Sequence, residues 1–224
     1  VTELDLSGTA LGWFPKGGEI TGAKIQKGDI MIGLPSSGIH SNGYTLVRAI
    51  VERSGFSLMG TCPFDSTHDS RSIERFEEGD ITLGEVLLNP TRIYVDPLVD
   101  LIKDCREGIG PCKISEIKAM AHITGGGLSN LLRLHDDFGW HIDDPLPILP
   151  EFKWLSEKGS VNNREMHRTF NMGMGMAIVD SKEKSASVEK WLNERLPGTR
   201  RIGYVHDERR EVTHADPEVI FSHY

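Results

Sequence analysis

The stretch DIMIGLPSSGIHSNGYTLVR, Asp29 to Arg48, holds the two changes of pattern from which the fold is read. Ile30 to Leu34 is a nearly unbroken apolar run, which suits a strand covered on both faces. From Pro35 to Gly43 the residues are small, polar or proline, apart from Ile39. Such residues turn a chain and offer hydrogen-bond donors, but they do not fill a core. Tyr44, Val47, Ile50 and Val51 then follow at helical spacing, and Gly55 offers a C-cap. The order is strand, glycine–serine turn, helix.

The same order recurs downstream. Met120 to Thr124 reads as a strand, Gly125-Gly126-Gly127 breaks it, and Leu128, Leu131, Leu132 and Leu134 predict a helix. Met172 to Val179 predicts another strand, interrupted by Gly173 and Gly175. Before these, residues 60 to 82 read as a polar surface loop with one helical turn. A helix is expected from Thr91, kinked or started at Pro97, with Leu98, Leu101, Ile102 and Cys105 on one face. Asp143 to Pro150 is a proline-rich loop, and Phe152, Trp154 and Leu155 open a short helix that stops near Gly159. Lys184 to Leu196 is amphipathic, with Val188, Trp191 and Leu192 inward. Arg201 to Val205 is expected as the final strand, with a tail from Asp216. Residues 10 to 14 are expected as a short strand ahead of turns at 15–18 and 27–29. Loosely alternating strands and helices give an α+β class, a mixed β-sheet flanked by helices.

The chain has 224 residues, enough for a sizeable core, and 38% of them are hydrophobic. Its formal net charge is −8. That balance argues against nucleic acid and membrane surfaces as partners, because both attract positive fields. A phosphorylated small molecule is still compatible, since a few local donors hold one phosphate. Three Cys without a C-x-x-C predict neither a disulfide scaffold nor a zinc site, and point to a reducing cytoplasm. No apolar run approaches the ~20 residues of a membrane span.

A helix start exposes unpaired N–H groups and the positive end of its dipole. Where Gly and Ser precede it, an anion can approach closely. Ser36, Ser37, Gly38, Ser41, Asn42 and Gly43 fit that description at the first junction, and Thr124, Gly125, Gly126 and Gly127 at the second. Either Ser41 or Asn42 equally suits a plain helix cap. Asn171 and Gly173 sit where a strand lacks side chains, which lets a ligand or another backbone come close. His40 is the imidazole among these donors, suited to phosphate binding or proton transfer near neutral pH, or to a structural bond with backbone. His122 is expected to be structural. His206 and His214 match no metal spacing. Glu74, Glu77, Glu78 and Asp80 read as exposed helix and turn, and Arg92, Arg133, Arg164 and Arg168 as surface residues within reach of a phosphate.

Four blocks carry a family resemblance: Gly33 to Arg48, Pro90 to Val95, Ala121 to Leu128, and Thr169 to Met176. In this order they resemble the C-terminal portion of aminoimidazole ribonucleotide synthetases, also called phosphoribosylformylglycinamidine cyclo-ligases. One departure is Asn130-Leu131-Leu132-Arg133, where the family usually has Asn-Leu-Pro-Arg. The family's Asp-Gly-x-Gly-Thr-Lys motif for Mg–ATP is also absent. The resemblance implies a remnant of an N-terminal ATP-binding domain and linker over 1–21 and a C-terminal synthetase domain over 22–224. It implies ring closure of formylglycinamidine ribonucleotide with ATP and Mg2+, both held mainly by the other domain, and a full-length homodimer. In that reaction His40 is the catalytic candidate, and the Gly, Ser, Thr and Asn residues above are the substrate-binding candidates. Two alternatives stay open: an isolated binding module without chemistry, and a related ATP-dependent enzyme of the same superfamily.

Overall fold

The computed structural model describes residues 8–14, 16–65 and 80–224. The acidic positions Glu74, Glu77 and Glu78 lie outside the described residues, while Asp80 is exposed. The Ile30–Pro35 run forms strand β1. The remaining strands are β2 Ile117–His122, β3 Gly139–Ile142, β4 Met174–Asp180, β5 Arg200–His206, β6 Val212–His214 and β7 Ile220–Phe221. The helices are α1 Tyr44–Ser54, α2 Leu83–Leu87, α3 Val95–Glu107, α4 Pro150–Gly159, α5 Asn163–Thr169 and α6 Ser185–Asn193.

The seven strands form one sheet in the order β2-β4-β1-β5-β3-β6-β7. Neighbours are antiparallel except β3 and β6, so the sheet is mixed. β1 lies inside the sheet between β4 and β5, which is why its sequence is apolar almost without alternation. Met31 points into a core on one face with Trp140, Val179 and Ile202. Ile30, Ile32 and Leu34 point into a second core with Leu98, Leu101, Val188 and Leu192 from α3 and α6. A third cluster beyond the sheet joins Ile39, Val47 and Ile50 to Phe152, Leu155 and Phe170. That cluster fixes the chain on either side of the glycine–serine turn.

Several expectations are corrected. Residues 10 to 14 form no strand: Leu11 and Trp13 are 97% and 87% exposed, with no neighbouring ladder to pair with. α3 begins at Val95 rather than Thr91, because Asn89 to Arg92 is committed to the turn described below. Pro97 falls in its first turn, where a missing N–H costs no helical bond. Gly127–Arg133 is a 3-10 helix, not an α-helix. Arg200–His206 is not the last strand, since β6 and β7 complete the sheet, and β3 and α5 were not predicted. These elements are short and owe their form to neighbours rather than to periodicity.

Candidate functional site

β1 and β2 both run antiparallel to β4, so their C-terminal ends and the start of β4 share one end of the sheet. The three glycine segments emerge there. The first turn is folded locally by backbone that favours glycine. Gly43, φ +74, is the residue ahead of α1, and no side chain caps that helix. Neither Ser41 nor Asn42 is therefore its cap. A Cβ on Gly43 would lie 2.3 Å from the Phe170 ring. His40 adopts a left-handed φ of 61° although it is not glycine.

The 87–94 segment straps the turn down. Ser37 Oγ donates to the Pro90 carbonyl at 2.7 Å, Tyr94 Oη to Pro35 at 2.9 Å, and Tyr44 Oη to Leu87 at 2.6 Å. Asn89 Nδ2 donates to the Ser37 carbonyl, and the Ser41 and Thr91 hydroxyls approach to 3.4 Å. The turn also rests on the third glycine segment. Buried Asn171 donates from Nδ2 to Gly38 O at 2.8 Å and accepts from Gly173 N–H at 2.9 Å. Ser36 N–H donates to Gly173 O at 2.9 Å. Asn171 and Gly173 thus form a strut beneath the turn, with Asn171 amide atoms already engaged. Ser36 and Gly38 are buried, while Ser41 is exposed and Ser37, Asn42 and Gly43 are half-buried.

His40 is 3% exposed. Its Nε2 accepts from Ser37 N–H at 3.2 Å, which assigns the ring proton to Nδ1. Nδ1 is buried and has no hydrogen-bond partner among the described residues. Burial pulls the His40 pKa down to about 4, with His122 and Arg92 adding to the effect. The imidazole is consequently neutral at pH 7. Gly175 makes room for it: a Cβ there would lie 1.8 Å from Tyr94 Oη and 2.8 Å from His40 Cε1.

The second turn meets the first. Asn42 Oδ1 is 3.8 Å from the position a Cβ on Gly125 would take. Gly125 is exposed, Thr124 and Gly126 are half-buried, and Gly127 is buried against the His167 carbonyl. The 3-10 helix behind this turn has seven residues, too few to give the dipole expected of an α-helix there. The first turn retains that feature through the 11-residue α1, which has no acidic residue in its first turn.

Sequence reasoning did not single out Tyr94 or Asn89, and it did not bring His122 beside His40. The His40, Tyr94 and His122 rings lie 6.0–6.4 Å apart, and His122 is exposed beside Thr124. Alternation along β2 was a usable signal, since it turns His122 outward from the core side chains of Ala121 and Ile123. Nothing local marks Asn89 or Tyr94 as partners of residues about fifty positions earlier. A separate hollow of about 140 Å³, lined by Gly22, Arg106 and Lys118, lies at the opposite end of β2. Among the described residues no three His, Cys, Asp or Glu side chains gather as a metal ion would require, and no helix is long and apolar enough to cross a membrane.

This α+β arrangement is the fold of a class that includes thiamine-monophosphate kinase. The Stenotrophomonas maltophilia enzyme superposes with a TM-score of 0.51 at 16% identity, over 91% of this chain and 55% of that one. Residues 26–216 match the AIR synthase related protein, C-terminal domain, and the chain belongs to that family. It is 45% identical over 207 residues to the phosphoribosylformylglycinamidine cyclo-ligase of Geobacillus kaustophilus, covering 91% of this chain and 53% of that protein. It is 39% identical over 195 residues to the cyclo-ligase of Methanosarcina acetivorans, covering 87% and 51%. The chain spans about half the length of the curated relatives it matches.

Proposed function

We propose that this chain forms the substrate-holding half of an ATP-dependent cyclo-ligase that closes formylglycinamidine ribonucleotide to aminoimidazole ribonucleotide in the cytoplasm. The observation that carries the reading is the meeting of two glycine-rich turns, Ser36–Gly43 and Thr124–Gly127, at one end of the sheet. An amide oxygen is a poor leaving group, so the formyl oxygen attacks the γ-phosphorus of ATP and ADP departs. A substrate nitrogen then attacks the activated carbon, the ring closes, and inorganic phosphate leaves. The protein contributes position and fixed dipoles rather than bond-making groups of its own.

In this reading the start of α1 and the Ser41 hydroxyl face the phosphoryl oxygens. His40 Nδ1–H, held in one tautomer by Ser37, is a dry neutral donor for a substrate oxygen when the turn opens to it. Ser36, Gly38, Asn171 and Gly173 position that turn, while Ser37, Asn42 and Gly43 line it. Thr124, Gly125 and Gly126 form the opposite lip, and Gly127 lets the lip pack on His167. The glycine turns suit phosphate oxygens, whereas the described carboxylates do not suit Mg2+, whose hard-cation ligands are clustered oxygens. The metal and most of the ATP contacts therefore fall to the other half of the protein. That half also supplies the surface for a homodimer.

The test is substrate-dependent ADP release by this chain alone and with the N-terminal half of a relative supplied. Activity only in the mixture supports a substrate half. Turnover by the chain alone would overturn the division of labour, and no substrate binding in either case would overturn the cyclo-ligase reading. A second reading, a phosphate-binding module without chemistry, is favoured by the absence of a described acidic cluster.

A further inference from the structure

The second glycine turn has no α-helix behind it, yet it has a cation. Arg133 ends the 3-10 helix that this turn opens, and its guanidinium carbon lies 3.5 Å from the centroid of the Tyr224 ring. Cε2 of the same ring is 3.2 Å from the position a Cβ on Gly126 would take. Tyr224 therefore lies beside Gly126 and presents its face to Arg133. The ring is placed from a fixed point three residues earlier. Phe221 is 2% exposed in the core, β7 pairs with β6, and Arg164 Nε donates to the Ile220 carbonyl at 3.2 Å.

Four other arginines of this acidic chain pair with carboxylates. Arg200, Arg201, Arg195 and Arg210 reach Asp144, Asp143, Glu194 and Asp136. Arg133 is exposed and, among the described residues, has no carboxylate partner. Stacking on an aromatic face occupies the flat side of a guanidinium and leaves its in-plane N–H groups available. A planar fork of that kind matches two oxygens of a phosphate.

We propose that Arg133, oriented by Tyr224, is the phosphate-anchoring residue of the second glycine turn and takes the phosphate monoester of the substrate. The choice of that ester rests on the cyclo-ligase reading; the anion site itself needs only a pair of phosphate oxygens. Tyr224 is a positioning residue, acting through Arg133. The charge that a helix dipole does not supply at this turn comes from a side chain.

The experiment is an NMR titration of the 15N-labelled chain, following the Gly125 and Gly126 amides. One arm uses inorganic phosphate and the other ribose 5-phosphate, which separates the free ion from the ester. Saturable shifts are expected in both arms, tighter for the ester. Arg133→Gln should weaken binding at least about tenfold, with partial recovery in Arg133→Lys. Tyr224→Phe should bind as the parent does, and Tyr224→Ala about two- to fivefold more weakly. No saturable shift in the parent, or an Arg133→Gln chain that titrates like it, overturns the site. An unaffected Tyr224→Ala chain overturns the positioning role. Arg133-dependent phosphate binding without any ring closure, once the N-terminal half is supplied, would sink the assigned reaction and leave this site standing. Ring closure without such binding would do the reverse.

Discussion

His40 occupies a left-handed conformation that Asn tolerates better than most residues. His40→Asn therefore tests the ring with little change to the backbone. In the proposed cyclo-ligase with both halves present it should lower kcat/KM at least about tenfold while leaving the thermal midpoint near that of the parent; unchanged kinetics would remove His40 from the site. Its titration has a definite sign. The folded pKa is about 4, below the ordinary histidine value of 6.5, so between these values the unfolded chain binds more protons. Stability should fall as pH drops from 6.5 towards 4, and His40→Asn should flatten that fall in urea titrations. His214, pulled to about 4 by burial and then by His167, contributes in the same direction. Asp180 has the opposite sign. Burial, and then Asp29, push its pKa up to about 8, so its folded form holds a proton that the unfolded chain releases above 3.8. Its contribution is complete below 3.8 and is lost as pH rises towards 8. Asp180→Asn should accordingly stabilise the chain at pH 7 by about 1 kcal/mol or more, measured by urea unfolding. A destabilised variant would refute this account of Asp180.

Among elements, the first turn depends on its supports. Asn171→Asp replaces a donor with an oxygen facing the Gly38 carbonyl at the same place, inside a buried strut. A loss of at least about 2 kcal/mol is expected in denaturant unfolding, because a buried acceptor pair replaces a hydrogen bond. On β4, Gly175→Ala places a methyl where Tyr94 Oη now sits. The variant should lose about 1–3 kcal/mol and release Tyr94 from Pro35, seen as weaker protection of the 36–40 amides from hydrogen exchange. Protection equal to the parent would show that Tyr94 does not hold the turn. β1, α1, α4, α6 and the β4 strand were legible in sequence, since each buries a regular pattern. The strand proposed over 10–14 and the α-helix after Gly127 were not borne out. Apolar residues are necessary for such elements, but a pairing edge or a long enough packed face decides them.

For the whole molecule, the amino-acid sequence by itself determined the α+β class, the two turns flanking His40 and Gly126, and the family blocks. These are local facts: apolar period, glycine and serine content, and residue order express themselves within a few neighbours. Only the tertiary structure decided that Asn42 and Gly125 adjoin, that Asn171 supports the turn, that His40 is dry and neutral, and that Tyr224 holds Arg133. Each of those joins residues tens of positions or more apart, apart from the burial of His40, which the surrounding packing sets. The physical reason is that sheet order, unlike strand identity, is fixed by which distant faces exclude water together.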